Sequence, residues 1–238
     1  EHSKVRIGYF SADFHDHATM HLMAELFECH SNEKFKIIAF SFGPSKNDLW
    51  RERVKSSFDE FLDVRLMSDH EIALLAREKE IDIAVDLKGF THNSRPQIFA
   101  EGCAPIQVSY LGYPGTMGAD YIDYLIADEI LIPQKNQKYY SEKIVYMPNS
   151  YQVNMSERVT SNVTFSRDDL GLPETSFVFC CFNNLYKILP KTFLSWIRIL
   201  NATNNSVLWL LETNTESTCR LKQEAKKNGI NEDRLIFA

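Results

Sequence analysis

The stretch Pro105-Ile106-Gln107-Val108-Ser109-Tyr110-Leu111-Gly112-Tyr113-Pro114-Gly115-Thr116-Met117-Gly118 decides how the chain is read. Its first six residues form a mainly apolar run that predicts a short buried strand, closed by glycine and proline. Three glycines and a proline in the next eight residues give a backbone that can turn sharply and bring amide N–H groups close to a ligand. Read alone, such a loop is a plain connection. Its weight comes from the segments on either side.

Upstream, strand-like and helix-like runs alternate. Residues 5–10 predict a strand and residues 19–30 a helix, with Leu22, Leu26 and Cys29 at helical spacing. Residues 35–42 predict a second strand and residues 47–58 a charged helix. Ser68 followed by Glu71 is a capping box that opens a helix running to about residue 79. Residues 81–87 predict the next strand. Single helices between strands imply crossover connections and a parallel sheet, so residues 1–150 are predicted to form a doubly wound α/β domain.

Downstream, residues 151–174 are polar and without sustained period, and read as a linker or crossing segment. The alternation then restarts over residues 175–238. Strands are predicted over 176–182, 207–211 and 234–237, with helices over 190–200 and 216–227. Pro190 falls near a helix start, and Asn228-Gly229 at a helix end. The last strand stops with the chain, so this second unit is expected to be incomplete. In such folds ligands bind at the carboxyl ends of the strands.

Bulk composition narrows the classes. The chain has 238 residues with 44% hydrophobic and 24% charged, as in ordinary soluble globular proteins. A net charge of −6 argues against broad nucleic-acid or anionic-membrane binding. No apolar run approaches membrane-spanning length, and the start Glu1-His2-Ser3-Lys4 has no secretory or transit character. Five cysteines without metal-ligand spacing suggest reduced, mostly buried thiols in a cytoplasmic protein.

Four loops follow predicted strands, and each carries polar chemistry. The first, residues 11–21, holds His15, His17 and His21. A neutral imidazole beside a reacting hydroxyl is a general-base candidate, whereas His15 and His21 read as capping or packing residues. No third ligand has the spacing a metal would need. The second, Gly89-Phe90-Thr91-His92-Asn93-Ser94-Arg95, offers a tight turn, hydroxyl and amide groups, and a fixed positive charge. The third is the glycine/proline loop. The fourth, Asn183-Asn184-Leu185-Tyr186-Lys187-Ile188, sets a lysine beside two amides, a combination that can offset phosphate charge.

Taken in order, these segments form a recognisable set. Asp13-Phe14 and His17-Ala18-Thr19 come first, then Asp86-Leu87-x-Gly89-Phe90-Thr91, Ala104-Pro105-Ile106-Gln107-Val108, Leu111-Gly112-Tyr113-Pro114-Gly115-Thr116 and Met117-Gly118-Ala119. Asp123-Tyr124, Tyr140-Ser141-Glu142-Lys143, Met147-Pro148 and Phe182-Asn183-Asn184-Leu185-Tyr186-Lys187-Ile188 follow. The set resembles the catalytic region of the O-linked N-acetylglucosamine transferase and SPINDLY family, glycosyltransferase family 41, over nearly the whole chain. The short linker resembles the bacterial form; the animal enzyme carries a large insertion there.

The resemblance implies a GT-B fold of two Rossmann-like doubly wound domains, the second truncated here. It implies a metal-independent, inverting transferase without cofactor, which moves N-acetylglucosamine from UDP-N-acetylglucosamine onto Ser or Thr hydroxyls of an acceptor protein or peptide. Tetratricopeptide repeats usually precede this region in the family. His17 matches a histidine given the role of base or acceptor-site residue, and Lys187 a lysine that contacts the nucleotide diphosphate. Asn184 stands where the animal enzyme has a glutamine near the nucleotide. Leu111, Gly112, Tyr113 and Pro114 match the loop lining the donor-sugar pocket, and Thr91 a threonine close to it. Phe90 departs from the usual histidine or tyrosine, and Met20 from a small residue. A later His-Thr-Thr-Gly nucleotide motif should lie beyond residue 238, which implies that this chain alone binds nucleotide weakly or not at all. Asn183-Asn184-Leu185 is closer to the SPINDLY type, which uses fucose, and Gly115 to the acetylglucosamine branch. A non-catalytic GT-B scaffold is the other class of reading.

Overall fold

Near-continuous apolar runs, buried on both faces, are what a parallel sheet flanked by helices requires. The computed structural model describes residues 2–156 and 161–238. They fall into two compact units, Glu1–Arg158 and Val159–Ala238.

The first unit is built on seven parallel strands: β1 (Val5–Ser11), β2 (Phe35–Ser41), β3 (Glu60–Asp63), β4 (Ile83–Asp86), β5 (Ile106–Ser109), β6 (Tyr124–Ala127) and β7 (Lys143–Tyr146). Their order is β3-β2-β1-β4-β5-β6-β7. The chain therefore winds outward from β1 to β3, then returns to lay β4 against the other side of β1. That reversal opens a crevice at the carboxyl ends of β1 and β4.

Helices α1 (Ala18–Glu28), α2 (Leu49–Ser57), α3 (Asp69–Glu78) and the short α4 (Gln97–Ala100) cover the sheet. Successive strand residues feed two separate cores, as the two-residue period demands. Phe10, Ile38, Phe40 and Ala84 pack with Ile72 and Ala76 of α3 and Ile98 and Phe99 of α4. Ile7, Tyr9, Ile37, Ala39 and Val85 pack with Met20, Met23 and Phe27 of α1 and Val54 of α2. The doubly wound arrangement follows from this split. At the centre of the first core the rings of Phe10 and Phe40 stack, with centroids 4.3 Å apart.

The strands and helices expected in residues 1–110 are present within a few residues of their expected bounds. The edge strands β3 and β7, and β6 beside the latter, were not legible in the sequence. Each is four residues long, and β3 is bracketed by Glu60 and Asp63. The connection from β6 to β7 is a 3-10 turn, Gln134–Tyr139, so no helical period marks a crossover there. Residues 151–156, read from sequence as the start of a linker, pack on the first unit. The Tyr151 amide donates to Asp128 Oδ2 at 2.8 Å, and the Tyr110 hydroxyl donates to the Tyr151 carbonyl at 2.7 Å.

The second unit holds three parallel strands, β8 (Phe177–Cys181), β9 (Ser206–Leu210) and β10 (Leu235–Phe237), in the order β10-β9-β8. Helices α5 (Pro190–Ala202) and α6 (Thr215–Lys227) join them. Pro190 occupies the first turn of α5, and Asn228 caps α6, with Gly229 at φ +82°. Phe193, Ile197 and Leu200 of α5 and Ala225 of α6 share one core with Leu208, Leu210 and Leu235. Among the described residues no helix is long and apolar enough to cross a membrane. The cysteines correct one expectation: Cys103 is buried, but Cys29, Cys180 and Cys219 are exposed.

The capping box of α3 is complete. The Ser68 side chain accepts the Glu71 amide, and the Glu71 carboxylate accepts the Ser68 amide at 2.7 Å. Replacement Ser68→Ala is expected to lower the unfolding free energy of the first unit by about 1 kcal/mol. Urea titration followed by circular dichroism measures this.

Candidate functional site at the strand carboxyl ends

The crevice of the first unit begins where β1 and β4 end. Asp86, the last residue of β4, is buried and turns the chain by accepting the Lys88 amide at 2.8 Å and the Gly89 amide at 3.1 Å. Burial pushes its carboxyl up to about 6, against the pull of those amides and of Lys88. The turn directs the Lys88 side chain inward, where Nζ meets Asp13 Oδ2 at 2.5 Å. Both side chains are nearly closed to water, 5% and 10% exposed. Asp13 comes from the loop after β1, so this ion pair ties the two central strand ends together.

His17 stands at the next turn of that loop. Its Nδ1 accepts the Thr19 amide at 3.2 Å and so caps α1, lying 3.1 Å from Thr19 Oγ1 and 3.6 Å from Asp13 Oδ2. Partial burial lowers its pKa; Asp13 opposes this, and Lys88, His15 and His21 add to the lowering. A neutral ring whose Nδ1 accepts a backbone amide carries its proton on Nε2. The helix cap, read from sequence as a task of the other two histidines, falls to His17. His15 is buried, with Nδ1 3.1 Å from the Asp16 carbonyl. His21 stacks on Trp50 at 4.2 Å, and its Nε2 lies 2.7 Å from Asp16 Oδ1.

The glycine/proline loop leaves β5 beside this cluster. Leu111 is held at φ +64°, an uncommon conformation for a branched side chain. Gly112 passes so close to β4 that a Cβ there would lie 2.0 Å from the Leu87 carbonyl oxygen. Tyr113 then sits against Gly89 and meets Phe90 edge to face at 5.5 Å. Pro114 is exposed. The far side of the loop is anchored by Glu142, whose buried carboxylate accepts the Thr116 hydroxyl at 2.8 Å and the Met117 amide at 2.6 Å. Thr91 is half-buried, and its hydroxyl donates to the Lys88 carbonyl at 2.8 Å, leaving its oxygen lone pairs free to accept.

In this way the structure brings His17, Thr91, Leu111, Gly112, Tyr113 and Pro114 onto the adjacent ends of β1, β4 and β5. Sequence reasoning passed over two members of the cluster, Lys88 and Glu142. Lys88 is the unread position within Asp86-Leu87-x-Gly89. A lysine directly after an apolar strand was the available signal.

Asn184 and Lys187 belong to the second unit, in the loop after β8. A 3-10 turn, Leu185–Lys187, forms there, with the Lys187 amide donating to the Asn184 carbonyl at 2.9 Å. Both side chains are exposed, and Lys187 Nζ lies 6.0 Å from the Tyr186 ring. Beside this turn is a cleft of about 640 Å³ lined by Asn184, Tyr186, Pro190, Asn214 and Arg220 among others. Among the described residues no group of three or more His, Cys, Asp or Glu is placed to hold a metal ion.

With this geometry in place, comparison with known proteins decides the family. The model of glycosyl transferase family 41 matches residues 1–164 and 152–238. The chain belongs to glycosyltransferase family 41. A curated relative, the probable UDP-N-acetylglucosamine–peptide N-acetylglucosaminyltransferase SEC of Arabidopsis thaliana, is 41% identical over 239 residues, covering 98% of this chain and 24% of that protein. The SPINDLY protein of the same plant, also named a probable UDP-N-acetylglucosamine–peptide N-acetylglucosaminyltransferase, is 31% identical over 86% of this chain and 22% of its own length. An O-GlcNAc transferase mutant from Thermobaculum terrenum superposes with a TM-score of 0.87 at 27% identity, covering all of this chain and 45% of that one. The chain thus has the fold of a GT-B catalytic region. It spans about a quarter of the length of the curated relatives it matches. Alignment with the Caenorhabditis elegans transferase runs over 347 residues, 109 more than the 238 here, as an insertion in the animal protein would give.

The buried Asp86 makes a pH test of this site. Its folded value, about 6, is above the ordinary 3.8, so the folded state favours the proton. The contribution of this group to stability is full below about pH 4 and is lost as pH rises to about 6. The stability of the native chain relative to Asp86→Asn is therefore expected to fall between pH 4 and 6 and to level off above. Urea unfolding of both chains across this range checks it; a difference independent of pH would contradict the assignment.

Proposed function

We propose that this chain is part of an inverting glycosyltransferase that moves N-acetylglucosamine from UDP-N-acetylglucosamine onto Ser or Thr hydroxyls of proteins. The observation that carries the reading is family membership together with an intact cluster at the ends of β1, β4 and β5. In this reading the acceptor hydroxyl attacks the anomeric carbon and loses its proton to solvent, while the bond to the diphosphate breaks on the opposite face and the electron pair leaves with the diphosphate. Lys187 offsets the charge that develops on the departing diphosphate, an electrostatic task that a metal performs in other transferases. Asn184 lies at the nucleotide. The loop Leu111-Gly112-Tyr113-Pro114 lines the sugar, with Thr91 as an acceptor for one of its hydroxyls.

For His17 the geometry favours one of two roles. With Nδ1 engaged by the Thr19 amide, Nε2 bears the proton and can donate a hydrogen bond to an acceptor or sugar oxygen. A general base at Nε2 would need the other tautomer and would give up the helix cap. We therefore assign His17 to acceptor-site hydrogen bonding. The alternative donor is GDP-fucose, favoured by the likeness of Asn183-Asn184-Leu185 to the SPINDLY type.

Protein labelling by the full-length protein, with UDP-N-acetylglucosamine and GDP-fucose side by side, tests this. Label from UDP-N-acetylglucosamine is expected, reduced about 100-fold or more in Lys187→Ala. Label from GDP-fucose alone would change the sugar. Turnover with neither donor would favour a non-catalytic scaffold.

A further inference from the structure

Lys88 is a buried cation at the carboxyl ends of β1 and β4 to which neither the motifs nor the proposed reaction gives a task. A lysine shut away from water is costly unless paired, and its partner here is Asp13. Asp13 has a second neighbour. The same oxygen, Oδ2, that accepts Lys88 Nζ at 2.5 Å lies 3.6 Å from Nδ1 of His17. Two opposed demands thus meet at one carboxylate. An unpaired Asp13 would draw a proton to Nδ1, making either an imidazolium or the Nδ1–H tautomer. Both would break the Thr19 cap, and the second would turn Nε2 into an acceptor.

We propose that Lys88 is a positioning residue for His17: by neutralising Asp13 in a buried ion pair, it keeps the imidazole uncharged, with Nδ1 on the helix cap and the Nε2 proton presented outward. Its value to catalysis rests on the reading of His17 as an acceptor-site donor, but its effect on the imidazole does not. The other groups that face His17 act in the same direction as Lys88. His15 lies with its ring 5.8 Å from that of His17, and His21 is one helical turn along α1; both, like Lys88, disfavour the charged ring, and Asp13 alone favours it. Burial of the ring lowers its proton affinity first; among the charged neighbours only Asp13 opposes that, and Lys88 is the group that answers Asp13. The Asp86 carboxylate, which accepts the Lys88 and Gly89 amides, fixes the backbone from which Lys88 reaches Asp13.

The test follows the His17 ring by 15N NMR in the 238-residue chain labelled at histidine, with no donor or acceptor present. The native chain is expected to show the Nε2–H tautomer at neutral pH. In Lys88→Met the proton affinity of His17 is expected to rise about tenfold or more, with protonation now at Nδ1. In Lys88→Met/Asp13→Asn, which removes both charges, the ring is expected to return close to the native titration. A purely structural lysine would leave the double variant no nearer the native chain than the single one. A native Nδ1–H tautomer, or an unchanged titration in a folded Lys88→Met, would overturn the proposal. Should Lys88→Met fail to fold, Lys88→Gln, which keeps a donor towards Asp13 without the charge, is expected to raise the His17 proton affinity likewise, and an unchanged titration in it would overturn the proposal. Because the readout needs no turnover, a failure of the transferase reading in the labelling experiment is distinguishable from a failure here.

Discussion

Everything in the first unit depends on the parallel pairing of β1 with β4, Ile7↔Ile83 through Phe10↔Asp86. This pairing sets the point at which the winding of the sheet reverses. It also determines which loops become neighbours, because loops that leave adjacent parallel strands emerge at the same edge. The loop after β1 carries Asp13 and His17, and the loop after β4 carries Lys88, Gly89 and Thr91. Residues some 75 positions apart in the chain are thereby held within hydrogen-bonding distance. Shift the register by one residue, and Asp86 would turn its carboxylate to the opposite face.

Electrostatics at that edge is decided by exclusion of water. Asp86, Lys88 and Asp13 are all buried, so each charge must be answered locally rather than by solvent. Asp86 answers with backbone amides, and its carboxyl is nonetheless pushed upward. Asp13 answers with Lys88. His17, with its side chain 42% exposed at the rim, is where this internal accounting reaches a surface that a substrate could touch. Rigid backbone contacts complete the edge. Gly112 allows the loop after β5 to lie directly on the Leu87 carbonyl, and Glu142 holds the loop's far side from the start of β7. A loop fixed at both margins loses little freedom on binding a ligand, which is the advantage of preorganisation.

The second unit shows the same logic on a smaller scale. Three parallel strands order the chain so that the loops after β8 and β9 both emerge at the carboxyl edge. There the Asn184–Lys187 turn presents an amide and an ammonium group to solvent. An exposed lysine is no evidence of a site by itself. Its task as a diphosphate contact belongs to the proposed reaction.

What the sequence by itself determined was local. Apolar runs gave β1, β2, β4, β5 and β8, helical spacing gave the longer helices, Ser68 with Glu71 marked a helix start, and the ordered motifs named the family. These readings succeed because propensity, capping and strand burial act over a few residues. The strands β3, β6 and β7 escaped, since β3 is bounded by Glu60 and Asp63, no helical period separates β6 from β7, and their stability comes from pairing with a sheet already formed. The site was legible only as separate loops, including His17, Thr91, the Leu111–Pro114 stretch and Lys187. That Lys88 turns inward to Asp13, that Nδ1 of His17 is consumed by the Thr19 amide, and that Glu142 anchors the glycine/proline loop were decided by tertiary structure. Partners far apart in sequence and buried charges compensated across strands leave no periodic trace; only the register of β1, β4 and β5 brings them together.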